Sequence, residues 1–261
     1  MLVDSHCHLD PAYLPTGPDD VLKRAQAAGV GTFVCIGVGR DLGAARGAVA
    51  LAAARADVFA TVGVHPHDAA KTDESGFDEI TTLAQKPRVV AIGEIGLDYH
   101  YDHSPRDVQN RVFRRMIALA RELKKPIVIH TRSAPADTLA ILQEENARDV
   151  GGIIHCFSED RAFAERALDL DFDLSFSGIL TFKNAHAIRE AARFAPADRI
   201  LVETDSPFLA PVPLRGKTCE PAYIVHTARC LAELRGQTFD AIAEQTTANV
   251  AKRLNLPLPS G

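Results

Sequence analysis

Two histidines two residues apart, His6 and His8, lie near the start of the chain in the segment DSHCHLD (4–10). Further along stand His65 and His67 in GVHPH, Glu94 in GEIGLDY, His130 in IHTR, His155 in HCFS and Asp205 in ETDSP. Imidazoles and carboxylates bind divalent metals, and imidazole suits zinc, manganese, cobalt, nickel or iron better than magnesium or calcium. On a strand, residues two apart share a face, so His6 and His8 point the same way. Asp4 falls in the same series, placed to orient an imidazole, and Cys7 turns to the opposite face. Any one of these histidines alone reads as an ordinary hydrogen-bonded residue. Their recurrence at the ends of separate apolar runs reads as a metal centre. Six ligands, His6, His8, Glu94, His130, His155 and Asp205, exceed the needs of one tetrahedral zinc site. They suit two ions about 3.5–4 Å apart that share a carboxylate. Glu94 is the natural shared ligand. The first ion would take His6, His8, Glu94 and Asp205, and the second Glu94, His130 and His155.

The elements that must position these residues are also legible. Apolar, β-branched runs recur at 2–8, 32–37, 59–66, 89–96, 126–131, 151–157, 172–178 and 200–207, their starts 21 to 37 residues apart. That spacing leaves room for a helix and two loops, as a parallel crossover requires. Helices are expected at 21–29, ending on a glycine, at the alanine-rich 40–55, and at 105–125, where lysines precede Pro126. Two more follow the eighth strand at 221–235 and 238–254, the last capped by Thr238. Alternating strands and helices mean an α/β protein with a parallel sheet. Eight units close naturally into a (β/α)8 barrel, with an open doubly wound sheet as the alternative. No linker interrupts the pattern, so residues 1–261 are expected to form one domain. In a barrel the C-terminal strand ends form one active-site face, which would gather the histidines and carboxylates at one mouth.

The chain has 261 residues, 46% of them hydrophobic and 24% charged, with a net charge of −5. This balance excludes a disordered chain and argues against a broad cationic surface for nucleic acid. Metal ions would instead supply positive charge locally. The one basic cluster, Arg111, Arg114, Arg115, Arg121, Lys124 and Lys125, reads as a solvated helical face. Five cysteines without CxxC pairing and no signal-like N-terminus point to reduced thiols and a cytoplasmic location. No apolar run reaches the roughly 18 residues of a membrane span. GVGRDLG (37–43) lacks the third glycine of a dinucleotide fingerprint, which falls on Leu42, and reads as a tight turn. No nucleophile elbow and no P-loop appear.

Several segments together resemble, in order, the motifs of the TatD family of metal-dependent deoxyribonucleases. They are DSHCHLD (4–10), GVHPH (63–67), GEIGLDY (93–99), IHTR (129–132), HCFS (155–158) and ETDSPFLAP (203–211). EPAYIVHTA (220–228) and TTANV (246–250) are similar to that family's C-terminal signature. The resemblance spans nearly the whole chain. It implies a TIM barrel, hydrolysis of phosphodiester bonds with zinc, manganese or magnesium, and 3′-end exonuclease action on DNA. The six metal positions it implies are those already reached from the strand ends. Two positions depart from the family pattern: Thr218–Cys219 stands where an Arg–Asn pair is usual, and Glu159 where glycine is usual.

Asp205, ligand and general base, and Glu94 are the expected catalytic residues, and His65, Arg132 and Glu203 the expected substrate contacts. The expected partner is DNA or a small phosphodiester, the protein acting as a monomer away from membranes. One alternative is an amidohydrolase-type enzyme acting on a small ester, amide or phosphoester. Such relatives bridge their metals with a lysine carbamate on the fourth strand, where this chain has Glu94. Another is a barrel that binds without catalysing.

Overall fold

A computed structural model of the chain describes residues 1–10, 13–14, 17–39 and 42–257. Eight strands form one sheet in chain order. They are β1 (Leu2–Cys7), β2 (Val30–Gly37), β3 (Val58–Val62), β4 (Val89–Asp98), β5 (Ile127–Arg132), β6 (Gly152–Ile154), β7 (Phe172–Phe176) and β8 (Ile200–Val202). Between successive strands run α1 (Pro18–Ala27), α2 (Gly43–Ala54), α3 (Glu74–Ala84), α4 (Arg106–Leu123), α5 (Pro135–Glu144), α6 (Arg161–Asp169) and α7 (His186–Phe194), with α8 (Ile224–Arg235) and α9 (Phe239–Leu254) at the end. The first and last strands are neighbours: the Asp205 N–H donates to the His6 carbonyl at 2.9 Å and the His8 N–H to the Ser206 carbonyl at 2.8 Å. Sequential order with a helix after each strand is the (β/α)8 barrel.

Contacts gather the chain into two compact units. The first comprises Met1–Val34, His155–Glu165 and Asp173–Gly261. Phe157 packs there against Phe176 and Phe163, with ring centroids 5.7 and 6.2 Å apart. Helix α9 is fastened at both ends. Thr238 caps it, its hydroxyl accepting from the Ala241 N–H at 3.1 Å. The buried Asp173 accepts from Arg199 and Arg253, and the Asn249 side chain donates to the Ala197 and Ile200 carbonyls.

The second unit comprises Cys35–Ile154 and Arg166–Phe172. Its strands β3 to β6 pair in parallel. The β4–β5 register shifts between Ile92 and Ile95, resumes with Ile95 opposite Ile129 and continues with Gly96 opposite His130. Gly96 has φ +140°, and a Cβ there would fall on the His130 carbonyl oxygen, so only glycine lets β4 approach β5 at this point. The arginines of α4 are paired with carboxylates: Arg111 with Asp107, Arg114 with Glu144 and Glu145, Arg115 with Glu74, and Arg121 with Asp149.

Boundaries differ from expectation in instructive ways. Strands β3, β6 and β8 end before the chemistry-bearing residues, leaving His65, His155 and Asp205 in the turns just beyond. The backbone leaves extended geometry there, with Cys156 at φ 44° and Asp205 at φ 58°. The helix expected from 221 begins as a 3-10 turn, Pro221–Tyr223, before α8. The first helix starts at Pro18, because proline fits a first helical turn, and gives way at Ala28 before Gly29. Residues 40 and 41, in the expected second helix and the GVGRDLG turn, lie outside the described residues. Among the described residues, no helix is long and apolar enough to cross a membrane.

Candidate metal centre

In the first unit, β1 presents His6, His8 follows directly after its last residue, and the turn after β8 brings Asp205 to them. The Nε2 atoms of His6 and His8 lie 3.6 and 3.4 Å from Asp205 Oδ1. Burial pushes the Asp205 carboxyl up, but the His8 hydrogen bond and the charges of His155, His6 and His8 outweigh it and hold the group below its ordinary value. His155, just past β6, stacks on His6 with ring centroids 3.8 Å apart and planes 11° apart. Its Nδ1 lies 3.2 Å from Glu203 Oε1, which also accepts from the Cys156 N–H at 2.7 Å. Glu203 Oε2 is buried without a hydrogen-bond partner. A buried carboxylate oxygen in that state is costly unless a cation or a polar ligand meets it.

Asp4 does not orient an imidazole as the sequence suggested. Its carboxylate accepts from the His6 and Thr204 backbone N–H groups at 3.3 and 3.0 Å and from the Thr204 hydroxyl at 2.6 Å. It therefore ties the backbone of β1 to the turn carrying Asp205. Burial, partly offset by the Thr204 bonds, pushes the Asp4 carboxyl up to about 8.

In the second unit, β4 and β5 place Glu94 Oε1 2.8 Å from His130 Nδ1. The other ring nitrogen, Nε2, lies 3.2 Å from Asp98 Oδ2. A carboxylate faces each ring nitrogen, so whichever nitrogen carries the neutral ring's proton, the other turns its lone pair toward an acceptor. Such a facing pair needs positive charge between or beside it, and a divalent cation or a second ring proton supplies it. Asp98 was not singled out from sequence, although it shares a strand face with Glu94 four residues earlier. It gathers four donors: His67 Nε2 at 2.9 Å, His130 Nε2, and the His100 and Tyr101 backbone N–H groups. Burial acts against its charge, but those bonds, led by the two histidines, hold the carboxyl far below its ordinary value.

His65 lies with its Nε2 3.5 Å from Glu94 Oε1. Its Nδ1 accepts from the His67 N–H at 3.2 Å, so the neutral ring carries its proton on Nε2. Burial, only partly opposed by Glu94, pulls its pKa down to about 4, which keeps it neutral at pH 7. In this state His65 is a hydrogen-bond donor, and it also falls with Glu94 and His130 in a group whose ligand atoms lie within 4.8 Å of one another. Arg132 is exposed and lies over the Tyr101 ring, 4.7 Å from its centroid.

The six expected ligands therefore divide between the units: the first holds the groups His6–His8–Asp205 and His6–His155–Glu203, and the second holds Glu94 and His130 grouped with His65. Within its own unit, each set has the chemistry of a divalent-metal site: imidazole nitrogen and carboxylate oxygen, mostly buried, with an orphaned oxygen or facing acceptors that a cation would satisfy. Of the departures from the family pattern, Cys219 is buried, and its N–H donates to the Pro207 carbonyl at 3.0 Å, bracing the turn after Asp205. Burial also pushes its thiol well above the ordinary range. Glu159 is half-buried, and burial raises its carboxyl.

An eight-stranded barrel with such donor sets at its strand ends defines the class of metal-dependent hydrolases. The comparisons make this specific. Residues 3–255 match the family described as TatD related DNase. A Bacillus subtilis (strain 168) protein named uncharacterized metal-dependent hydrolase YabD is 44% identical over 97% of this chain and 98% of its own length. The 3′-5′ ssDNA/RNA exonuclease TatD of Klebsiella pneumoniae (strain 342) is 35% identical over 89% of each chain. The crystal structure of YJJV, a TatD homologue from Escherichia coli K12, superposes with a TM-score of 0.90 at 27% identity, covering 98% of each chain. The chain belongs to the TatD-related DNase family of metal-dependent hydrolases.

Proposed function

We propose that the chain is a divalent-metal phosphodiesterase that acts on DNA and removes nucleotides from a 3′ end. The observation that carries this reading is the pair of donor sets, His6–His8–Asp205 and Glu94–His130, in a chain of acidic balance. Bound cations would satisfy acceptor-rich sets of this kind, and cations are what a polyanionic substrate needs to approach a chain of net charge −5. The similarity to the Klebsiella pneumoniae 3′-5′ ssDNA/RNA exonuclease supports the choice of nucleic acid. In this reading two divalent ions, zinc, manganese or magnesium, are held per chain. When bound they supply an activated water and neutralise charge developing on the phosphoryl oxygens.

The residues divide the remaining work. Asp205 accepts the proton of the attacking water. Glu203, through its Oε1, fixes the orientation of His155. Neutral His65 donates its Nε2–H to a phosphoryl oxygen, and Arg132 contributes positive charge at the edge of the site. The unit of action is a monomer.

The test is a chelator-dialysed sample assayed on 5′-labelled single-stranded DNA and on a chromogenic phosphodiester, with manganese or zinc added back singly. Metal-restored shortening of the DNA from its 3′ end is the expected result. Failure of both metals to restore cleavage of either substrate would overturn the proposal.

A further inference from the structure

Among the described residues, five large hydrophobic side chains are exposed, and two of them, Tyr13 (43%) and Phe208 (47%), meet each other beside His8. Their rings pack edge to face with centroids 5.7 Å apart, and the His8 ring lies 6.5 Å from Tyr13 and 6.0 Å from Phe208. Aromatic rings normally bury their faces, so an open pair against a candidate metal ligand calls for an occupant.

The pair is also built to stay in place. The Phe208 N–H donates to the Asp205 carbonyl at 2.8 Å, so a single turn fixes the ring relative to the candidate base. The Tyr13 N–H donates to the carbonyl of Asp10, two residues after His8, at 2.9 Å. The His8 N–H donates to the Ser206 carbonyl, and the Cys219 N–H braces Pro207. Both rings thus ride on backbone that also carries His8 and Asp205.

We infer that Tyr13 and Phe208 form a stacking platform for one unpaired nucleobase, the base next to the phosphodiester held at His6, His8 and Asp205. This rests on the phosphodiesterase reading and narrows it to substrates with a free, unstacked base. Every base has a flat face that stacks on an aromatic ring whatever its sequence, whereas a base inside a duplex is already stacked on both sides. The platform accordingly favours single-stranded ends over paired ones.

The test compares two single-stranded oligonucleotides that differ only at the terminal position, one ending in thymidine and one in an abasic tetrahydrofuran residue. The quantity read is the ratio of their kcat/KM values, in which general damage to a variant cancels. Wild-type protein should prefer the base by about tenfold, within the range for one aromatic–base stack. Phe208→Leu and Tyr13→Leu should each bring the ratio toward one, and Phe208→Tyr should keep it. A second readout needs no cleavage: a terminal 2-aminopurine, joined through a non-hydrolysable methylenephosphonate linkage, should be quenched on binding the metal-loaded protein, and less so in the leucine variants. Cleavage with no base preference and no quenching overturns the platform and leaves the hydrolase reading standing. Ring-dependent quenching without any cleavage upholds the platform and removes the phosphodiesterase.

Discussion

At the scale of single residues, the central assignment is Asp205. Histidines hold its carboxylate in the charged form, and it lies within 3.6 Å of two imidazoles, as a metal ligand and proton acceptor should. Asp205→Asn should leave the melting temperature near that of the parent and lower turnover at least about 10²-fold, the usual range for losing a general base. Near-normal turnover in the metal-loaded variant would remove Asp205 from that role. Asp98 acts through another residue. It holds the outer nitrogen of His130 and should therefore set how well that ring can ligate. Asp98→Asn should weaken manganese or zinc binding about 10- to 100-fold in a chelator competition, as losses of such supporting carboxylates do. Unchanged metal affinity would show that Asp98 only fastens the loop at His100 and Tyr101. Much of this chemistry could be read from residue type and period: His6 beside His8, Glu94 in GEIGLDY, and Asp205 in ETDSP. Asp98 was in view in the same motif as Glu94, but its partners His67 and His130 lie 31 and 32 residues away, and no local pattern records that meeting. The roles of Asp4 and His65 depend on which atom faces which donor, a property of coordinates rather than spacing.

At the scale of elements, the eight strands were legible because doubly buried strands read as continuous apolar runs separated by helix-length gaps. Their C-terminal limits were less so. GGIIHCF and ILVETDSP continue their apolar or β-branched character past the last paired residue. The polar residues that follow leave the sheet through left-handed backbone at Cys156 and Asp205, which their side chains do not announce. The position of Glu94 relative to His130 depends on close approach of β4 to β5, and Gly96 permits it. Gly96→Ala would place a methyl group on the His130 carbonyl in a backbone conformation that alanine rarely adopts. The variant should melt at a lower temperature and lose metal bound through Glu94 and His130. Wild-type metal content and stability in this variant would show that the β4–β5 approach is not what positions the pair.

At the scale of the molecule, charge is arranged so that no general attraction to nucleic acid remains on α4. Its arginines are engaged with Asp107, Glu74, Glu144, Glu145 and Asp149. Exposed pairs of this type contribute little to stability, but they do neutralise the face. Replacing Arg115 and Arg121 together by alanine should leave the KM for single-stranded DNA unchanged. A several-fold rise that grows as salt is lowered would assign this face to substrate binding instead. Positive charge at the substrate would then come from the bound ions, and the same ions should stabilise the fold, by about 2.7 kcal/mol at a hundredfold excess over Kd. The most direct measurement is a titration of chelator-stripped protein with manganese or zinc. Ions bound per chain are counted while cleavage of single-stranded DNA and the melting temperature are followed in the same samples. The account predicts two equivalents bound, with cleavage and melting temperature rising together as they fill. A stripped protein that cleaves as fast as the loaded one, or a chain that takes up no metal, would contradict it.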